Sequence, residues 1–162
     1  MNTLTRWTTL AASVTALSIG TAVLSSQPAG RTVADPGPAT APIEVTVYKS
    51  PTCGCCSKWV DHMTASGFKV TAHDTSDMQS VKNRLGVPDA MASCHTSVVN
   101  GYVIEGHVPA ADIQRLLRDK PKVAGLAVPG MVTGSPGMEG ARSDPYNVIA
   151  FGEGKTSVFS RH

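Results

Sequence analysis

The sequence predicts an α/β domain with a mixed sheet and helices on its faces. Three observations predict it: two β-branched alternating runs separated by a helix-length segment, an Asn-Gly pair between two further apolar runs, and an amphipathic stripe after them. Ile43-Glu44-Val45-Thr46-Val47-Tyr48 alternates and reads as the first strand. A helix follows from about Cys55 to Ser66, stopped at Gly67. Phe68 to His73 alternates again as a second strand. Asp77 is placed to cap a short helix through Leu85, ended by Gly86. Thr96–Val99 and Tyr102–Glu105 flank Asn100-Gly101, the strongest short hairpin signal a sequence offers. Pro109 opens a last helix whose apolar stripe is Ile113, Leu116 and Leu117.

The expected order is β-α-β-α-β-β-α. Beyond it, Ala124 to Pro145 is rich in Gly and Pro and reads as an irregular loop. Tyr146–Phe151 and Thr156–Phe159 read as a C-terminal β-hairpin turned by Gly152-Glu153-Gly154, extending a sheet edge or folding over the site. Met63 and Met78 read as core. Cysteines that open a helix after the first strand, in this order, make the arrangement thioredoxin-like.

Four cysteines carry the chemistry. Three lie in Cys53-Gly54-Cys55-Cys56, and Cys94 is followed by His95. At a helix start, thiols meet free backbone N–H groups and the positive end of the helix dipole, and Lys58 adds charge nearby. A lowered thiol pKa serves disulfide exchange and metal ligation equally, so C-x-x-C alone does not choose. The second segment does. Redox-active thioredoxin-like domains place a proline just before the hairpin strand. Counting back from Asn100-Gly101 puts His95 in that place, with Cys94 beside it. Proline brings no ligand, whereas a Cys-His pair brings a sulfur and an imidazole to face three thiols. Such a set suits Cu(I) or Zn(II). Two structural disulfides and a thiol–disulfide exchanger using Cys53 and Cys56 are the competing readings.

Other candidates are weaker. His62 lies about two turns beyond Cys55 and reads as solvated surface; His73 reads as a strand-edge polar residue. His107, in Gly106-His107-Val108-Pro109, reads as an outer partner or an access ligand of the metal. Met131 and Met138 sit in two similar Pro-Gly-Met units, where a soft thioether either captures metal or packs over the site.

The chain has 162 residues, 41% apolar and 16% charged, with a formal net charge of +2. This suits one small folded domain with appendages. No basic run interleaved with aromatics exists, so no nucleic-acid partner is expected. Residues 1–26 read as an export signal, with Arg6 before the uncharged stretch Thr8–Leu24, either cleaved or kept as an anchor. No other membrane contact is expected. Residues 27–42 form a linker holding Pro28, Pro36, Pro38 and Pro42, and residues 43–162 form the domain.

Thr52-Cys53-Gly54-Cys55-Cys56-Ser57-Lys58-Trp59 after a Val-Thr-Val-Tyr-Lys strand resembles the exported CopG-type copper-resistance proteins, a metal-binding family long filed as a domain of unknown function. Ser93-Cys94-His95-Thr96, Gly106-His107-Val108-Pro109, Gly125 to Met131 and Gly134 to Glu139 resemble the same family. The resemblance implies a thioredoxin-like fold, a periplasmic location, and copper as the bound metal, with Cys53, Cys55, Cys56 and Cys94 as ligands. It also implies a role in copper tolerance, by sequestration or by Cu(I)/Cu(II) redox handling as a copper oxidoreductase. A thiolate-bridged cluster of several Cu(I) ions fits such ligands. The implied partners are copper ions and other periplasmic copper-handling proteins.

Overall fold

A computed structural model describes residues 41–162. The expected signal and most of the linker lie outside the described residues. Eleven elements follow in order. They are β1 (Glu44–Lys49), α1 (Gly54–Ala65), β2 (Lys69–Asp74), α2 (Met78–Leu85), a 3-10 turn (Asp89–Met91), β3 (His95–Val99), β4 (Tyr102–Glu105), α3 (Ala110–Asp119), β5 (Gly125–Ala127), β6 (Asn147–Gly152) and β7 (Lys155–Arg161). The class is α/β, as expected.

One seven-stranded mixed sheet runs β2-β1-β3-β4-β5-β6-β7. β1 pairs parallel with β2 and antiparallel with β3, so its C-terminal end, where the cysteine loop leaves, lies beside the start of β3. Lys49 is opposite His95 in that register. The sheet therefore brings two segments nearly forty residues apart to one place.

Period-two alternation sorts the sheet's two faces. Val45, Val47, Ile104, Leu126, Val148 and Ala150 join Trp59 and Met63 of α1 and Ile113 and Leu116 of α3 in the main core. Val103, Ala127 and Phe151 form a smaller cluster with Val87, against which Leu85 of α2 packs. α1 buries Cys56, Trp59 and Met63, a helical stripe that pins the cysteine helix to the sheet. Trp59 Nε1 donates to the Val108 carbonyl at 2.9 Å, so this large side chain is buried without a stranded donor.

Local signals explain the boundaries. Asp77 caps α2 by accepting from the Ser80 N–H at 3.0 Å, as its position predicts. Gly86 follows α2, and Asn100-Gly101 turns β3 into β4. The segment expected to be one irregular loop contains β5, three residues paired parallel with β4. Its length explains the difference, because three residues display no readable alternation. Gly125 is needed there, since a Cβ would lie 2.7 Å from the Val103 carbonyl carbon. The C-terminal hairpin joins the sheet edge through β5 instead of folding over the cysteines. Among the described residues, no helix is long and apolar enough to cross a membrane.

Candidate metal centre

The cysteine loop is short because β1 feeds almost directly into α1. A turn closed by the Cys53 N–H on the Ser50 carbonyl, 3.1 Å, delivers Cys53 to the N-cap of α1. Cys55 and Cys56 then lie in the first helical turn, Cys56 buried and Cys55 half-buried.

Cys94 arrives from the other segment, immediately before β3. Its neighbours hold it firmly. The Ser93 N–H donates to Glu105 Oε1 at 2.6 Å, and the Gly106 N–H donates to the His95 carbonyl at 2.9 Å. Ser93 also bridges to Gly130, and its hydroxyl donates to the Gly130 carbonyl. Gly106 has a left-handed φ of +69°, and a Cβ there would lie 2.7 Å from the Val128 carbonyl oxygen. A side chain at this position would push the clamp apart.

All four sulfurs converge. Ligand atoms of Cys53, Cys55, Cys56 and Cys94 lie within 4.8 Å of one another. Cys56 Sγ is 3.4 Å from Cys94 Sγ, and Cys53 Sγ is 3.4 Å from Cys55 Sγ. Cys53 and Cys56 are joined by a disulfide, while Cys55 and Cys94 are free thiols. This departs from the expectation of four thiolates together. A C-x-x-C across a helix start brings its two sulfurs within bonding reach, so this pair closes readily under oxidation. Two disulfides, the other structural expectation, are not formed.

Two histidines complete the cluster. His107 is fully buried; its Nδ1–H donates to the Pro136 carbonyl at 2.7 Å, which leaves the Nε2 lone pair facing Cys94 Sγ at 3.0 Å. His95 is also fully buried, with Nδ1 3.5 Å from Cys94 Sγ. Its ring lies against Trp59, centroids 4.5 Å apart, and edge-on to His107 at 4.9 Å. Burial holds both imidazoles below their usual pKa, and for His95 the neighbouring His107 and Lys82 charges push the same way. Both rings are therefore neutral at pH 7 and can act as ligands. Burial, reinforced by the neighbouring Cys55 sulfur, pushes the Cys94 thiol up to about 11. With Cys53 and Cys56 bonded, Cys94 is thus a protonated thiol at neutral pH.

The two Pro-Gly-Met units lie differently. Gly130 flanks the Cys94 clamp, yet Met131 itself is 55% exposed. The second unit nests on the cysteine helix. Gly137 has φ +84°, and a Cβ there would lie 2.7 Å from the Cys55 carbonyl oxygen and 2.8 Å from the Trp59 nitrogen. Met138 is half-buried. His73 is exposed and stacks on Tyr48. His62 is no solvated surface residue: its Nε2 accepts from the Ala110 N–H at 3.1 Å, covering an orphan donor at the start of α3.

One part of the site escaped sequence reasoning. Glu105, fully buried, accepts from Ser93 N–H, from Thr96 Oγ1 at 2.6 Å, and from Lys82 Nζ. Lys82 also donates to Thr96 at 3.1 Å. A lone Glu at the end of Tyr102-Val103-Ile104-Glu105 looks like the polar end of a strand, and its partners, Lys82 of α2 and the Ser93–Thr96 segment, come from elsewhere in the chain.

Among curated proteins, none is similar enough to count as a relative. A protein-family profile described as "Protein of unknown function, DUF411" matches residues 91–138. A solved structure named "Copper resistance protein copG- Form 2" is similar at 50% identity and TM-score 0.71, over 75% of this chain and 98% of that one. A second, "Copper resistance protein copG- Form 1", has the same values. This chain belongs to the CopG copper-resistance family. The segment shared with the unknown-function profile carries Cys94, His95, His107 and both Pro-Gly-Met units. The CopG-family likeness, at this coverage, extends to the cysteine loop as well.

Proposed function

We propose that this CopG-family protein binds Cu(I) through Cys53, Cys55, Cys56 and Cys94 and serves copper tolerance. The convergence of sulfurs from two distant segments carries the reading, above all the 3.4 Å approach of Cys94 to Cys56. Copper-resistance relatives support the metal's identity. Disulfide sulfurs are poor ligands, so the form with Cys53 and Cys56 reduced is the one that takes Cu(I). Four soft thiolates then neutralise a soft monovalent ion, or bridge several as a cluster. Met131 and Met138 offer thioether sulfur at the loops beside the site, and His95 and His107 offer nitrogen, which suits Cu(II). Redox handling between Cu(I) and Cu(II), or simple sequestration, follows from that donor set. The protein works in the periplasm, with residues 1–26 as export signal or anchor and residues 27–42 as linker before the thioredoxin-like domain. Copper ions and other periplasmic copper-handling proteins are its partners.

A specific observation favours a second reading. The Cys53–Cys56 disulfide at the start of α1 has the placement of a thiol–disulfide exchanger. One substitution separates the two. In a Cu(I) competition with a chromogenic chelator, fully reduced C94S loses affinity by at least about 100-fold, beyond what loss of an outer partner costs. An exchanger relying on Cys53 and Cys56 keeps nearly intact disulfide reductase activity in C94S. If reduced wild-type protein leaves Cu(I) with the chelator, the copper reading is wrong.

A further inference from the structure

Two side chains of α1 grip the start of α3, and the two grips differ in chemistry. Trp59 Nε1 donates to the Val108 carbonyl at 2.9 Å. Three residues further along the same helix face, His62 Nε2 accepts from the Ala110 N–H at 3.1 Å. Together they hold the Val108–Ala110 segment against the helix that the cysteines open. Gln114 Nε2 adds a neutral bond across the same junction, to the Ser66 carbonyl at 3.3 Å.

The indole N–H donates at any pH. The imidazole accepts only while neutral, because its second proton goes onto Nε2, the atom that accepts. An imidazolium here sets one N–H against another and leaves the Ala110 amide without its partner. Ala110 is buried, and Pro109, the N-cap of α3, offers no side-chain acceptor in its stead. Burial lowers the His62 pKa, and the Glu139 carboxylate of the 134–139 turn raises it by less. Of the other charged groups nearby, Lys58, one turn back on α1, acts on Glu139. Asp61 is exposed, and Asp112 of α3 is bound to His162 at 2.7 Å.

We infer that His62 is a pH-sensitive catch: while neutral it fastens the start of α3 to the cysteine helix, and on protonation it releases that start. Glu139, held ionised chiefly by its bond from the Gly137 N–H, gives the released imidazolium a counter-charge. Because folding lowers this pKa, the folded chain binds fewer protons here than the unfolded one. The catch therefore contributes fully above the ordinary imidazole value of about 6.5 and is lost as pH falls below it. His107 lies three residues before Ala110, so the catch also governs how firmly that ring is held beside Cys94. None of this depends on the copper reading, since every group involved is in place without metal.

Amide exchange at Ala110 tests it, in metal-free protein with Cys53 and Cys56 bonded, read by NMR and corrected for the intrinsic rate at each pH. Wild-type protection at Ala110 is expected to fall about fivefold or more between pH 8 and pH 5, as loss of one acceptor at a helix start predicts. His62→Gln carries a side-chain oxygen that accepts at every pH, so protection persists at both. His62→Ala loses protection at both. His95 and His107 are common to all three proteins, so their titration does not mimic the difference. Equal wild-type protection at pH 8 and pH 5 overturns the inference, with no substitution involved. So does a fall in His62→Gln as large as in wild type, or full protection of Ala110 at pH 8 in His62→Ala. Cu(I) uptake is a separate measurement, and its failure leaves the catch standing.

Discussion

At the scale of single residues, Cys94 decides what the cysteine loop can do. Cys53, Cys55 and Cys56 alone leave disulfide exchange and metal binding equally open, because a helix N-terminus favours both. Cys94 brings a fourth sulfur beside the place, held here by His95, where a thioredoxin-like exchanger carries proline, and two imidazoles come with it. Burial disfavours its anion, so in oxidised C55S, where Cys94 is the one free thiol, thiolate absorbance should rise with a midpoint above that of an ordinary free thiol. A midpoint at or below the ordinary thiol range contradicts the packing described for this sulfur. The sign for metal follows. Binding displaces a proton from a thiol reluctant to lose it, so Cu(I) affinity of the reduced protein should weaken steadily as pH falls from 8 to 5, read by chelator competition. The sequence exposed this residue's importance through spacing alone. It did not expose Glu105, whose role depends on Lys82 of α2 and the Ser93–Thr96 segment meeting it in space.

At the scale of elements, the site is a junction of three pieces held by unlike devices. α1 is pinned by Trp59 and Met63, and the Cys94 segment is clamped by Glu105 and Gly130. The 134–138 turn sits on α1 through Gly137. Gly137→Ala therefore forces a Cβ into the α1 backbone at a left-handed φ. It should destabilise the protein by about 1–3 kcal/mol in denaturant unfolding, and an unchanged midpoint would refute the nesting. Glu105→Ala leaves the buried Lys82 charge unpaired and frees Ser93. Breaking a buried pair in this way costs about 3–5 kcal/mol, measurable by the same unfolding experiment. Elements with strong local chemistry were readable: the Asp77 cap, the Asn100-Gly101 turn and the alternation of β1. β5 was not, since three residues carry no period, and the hairpin's destination depended on it. The disulfide was legible only as one of several pairings, because proximity in sequence permits a bond without requiring one.

For the whole molecule, the sheet positions chemistry at one end. β1 and β3 run antiparallel, so the loop after β1 and the segment before β3 must meet, and the remaining strands build the core that fixes them there. On the copper reading, Cu(I) binds the folded state more tightly than the unfolded chain, where only the Cys53–Cys56 run stays together. At free Cu(I) about 100 times its dissociation constant, the reduced protein then gains at most about 2.7 kcal/mol, seen as a higher melting temperature that a chelator reverses. The central claim, that four thiols from two stretches of chain hold Cu(I), has a direct readout in native mass spectrometry of freshly reduced protein exposed to Cu(I). The account predicts copper-bearing masses for the wild type and their loss in C94S. A wild-type spectrum showing only the metal-free mass, or an unchanged copper count in C94S, would contradict it.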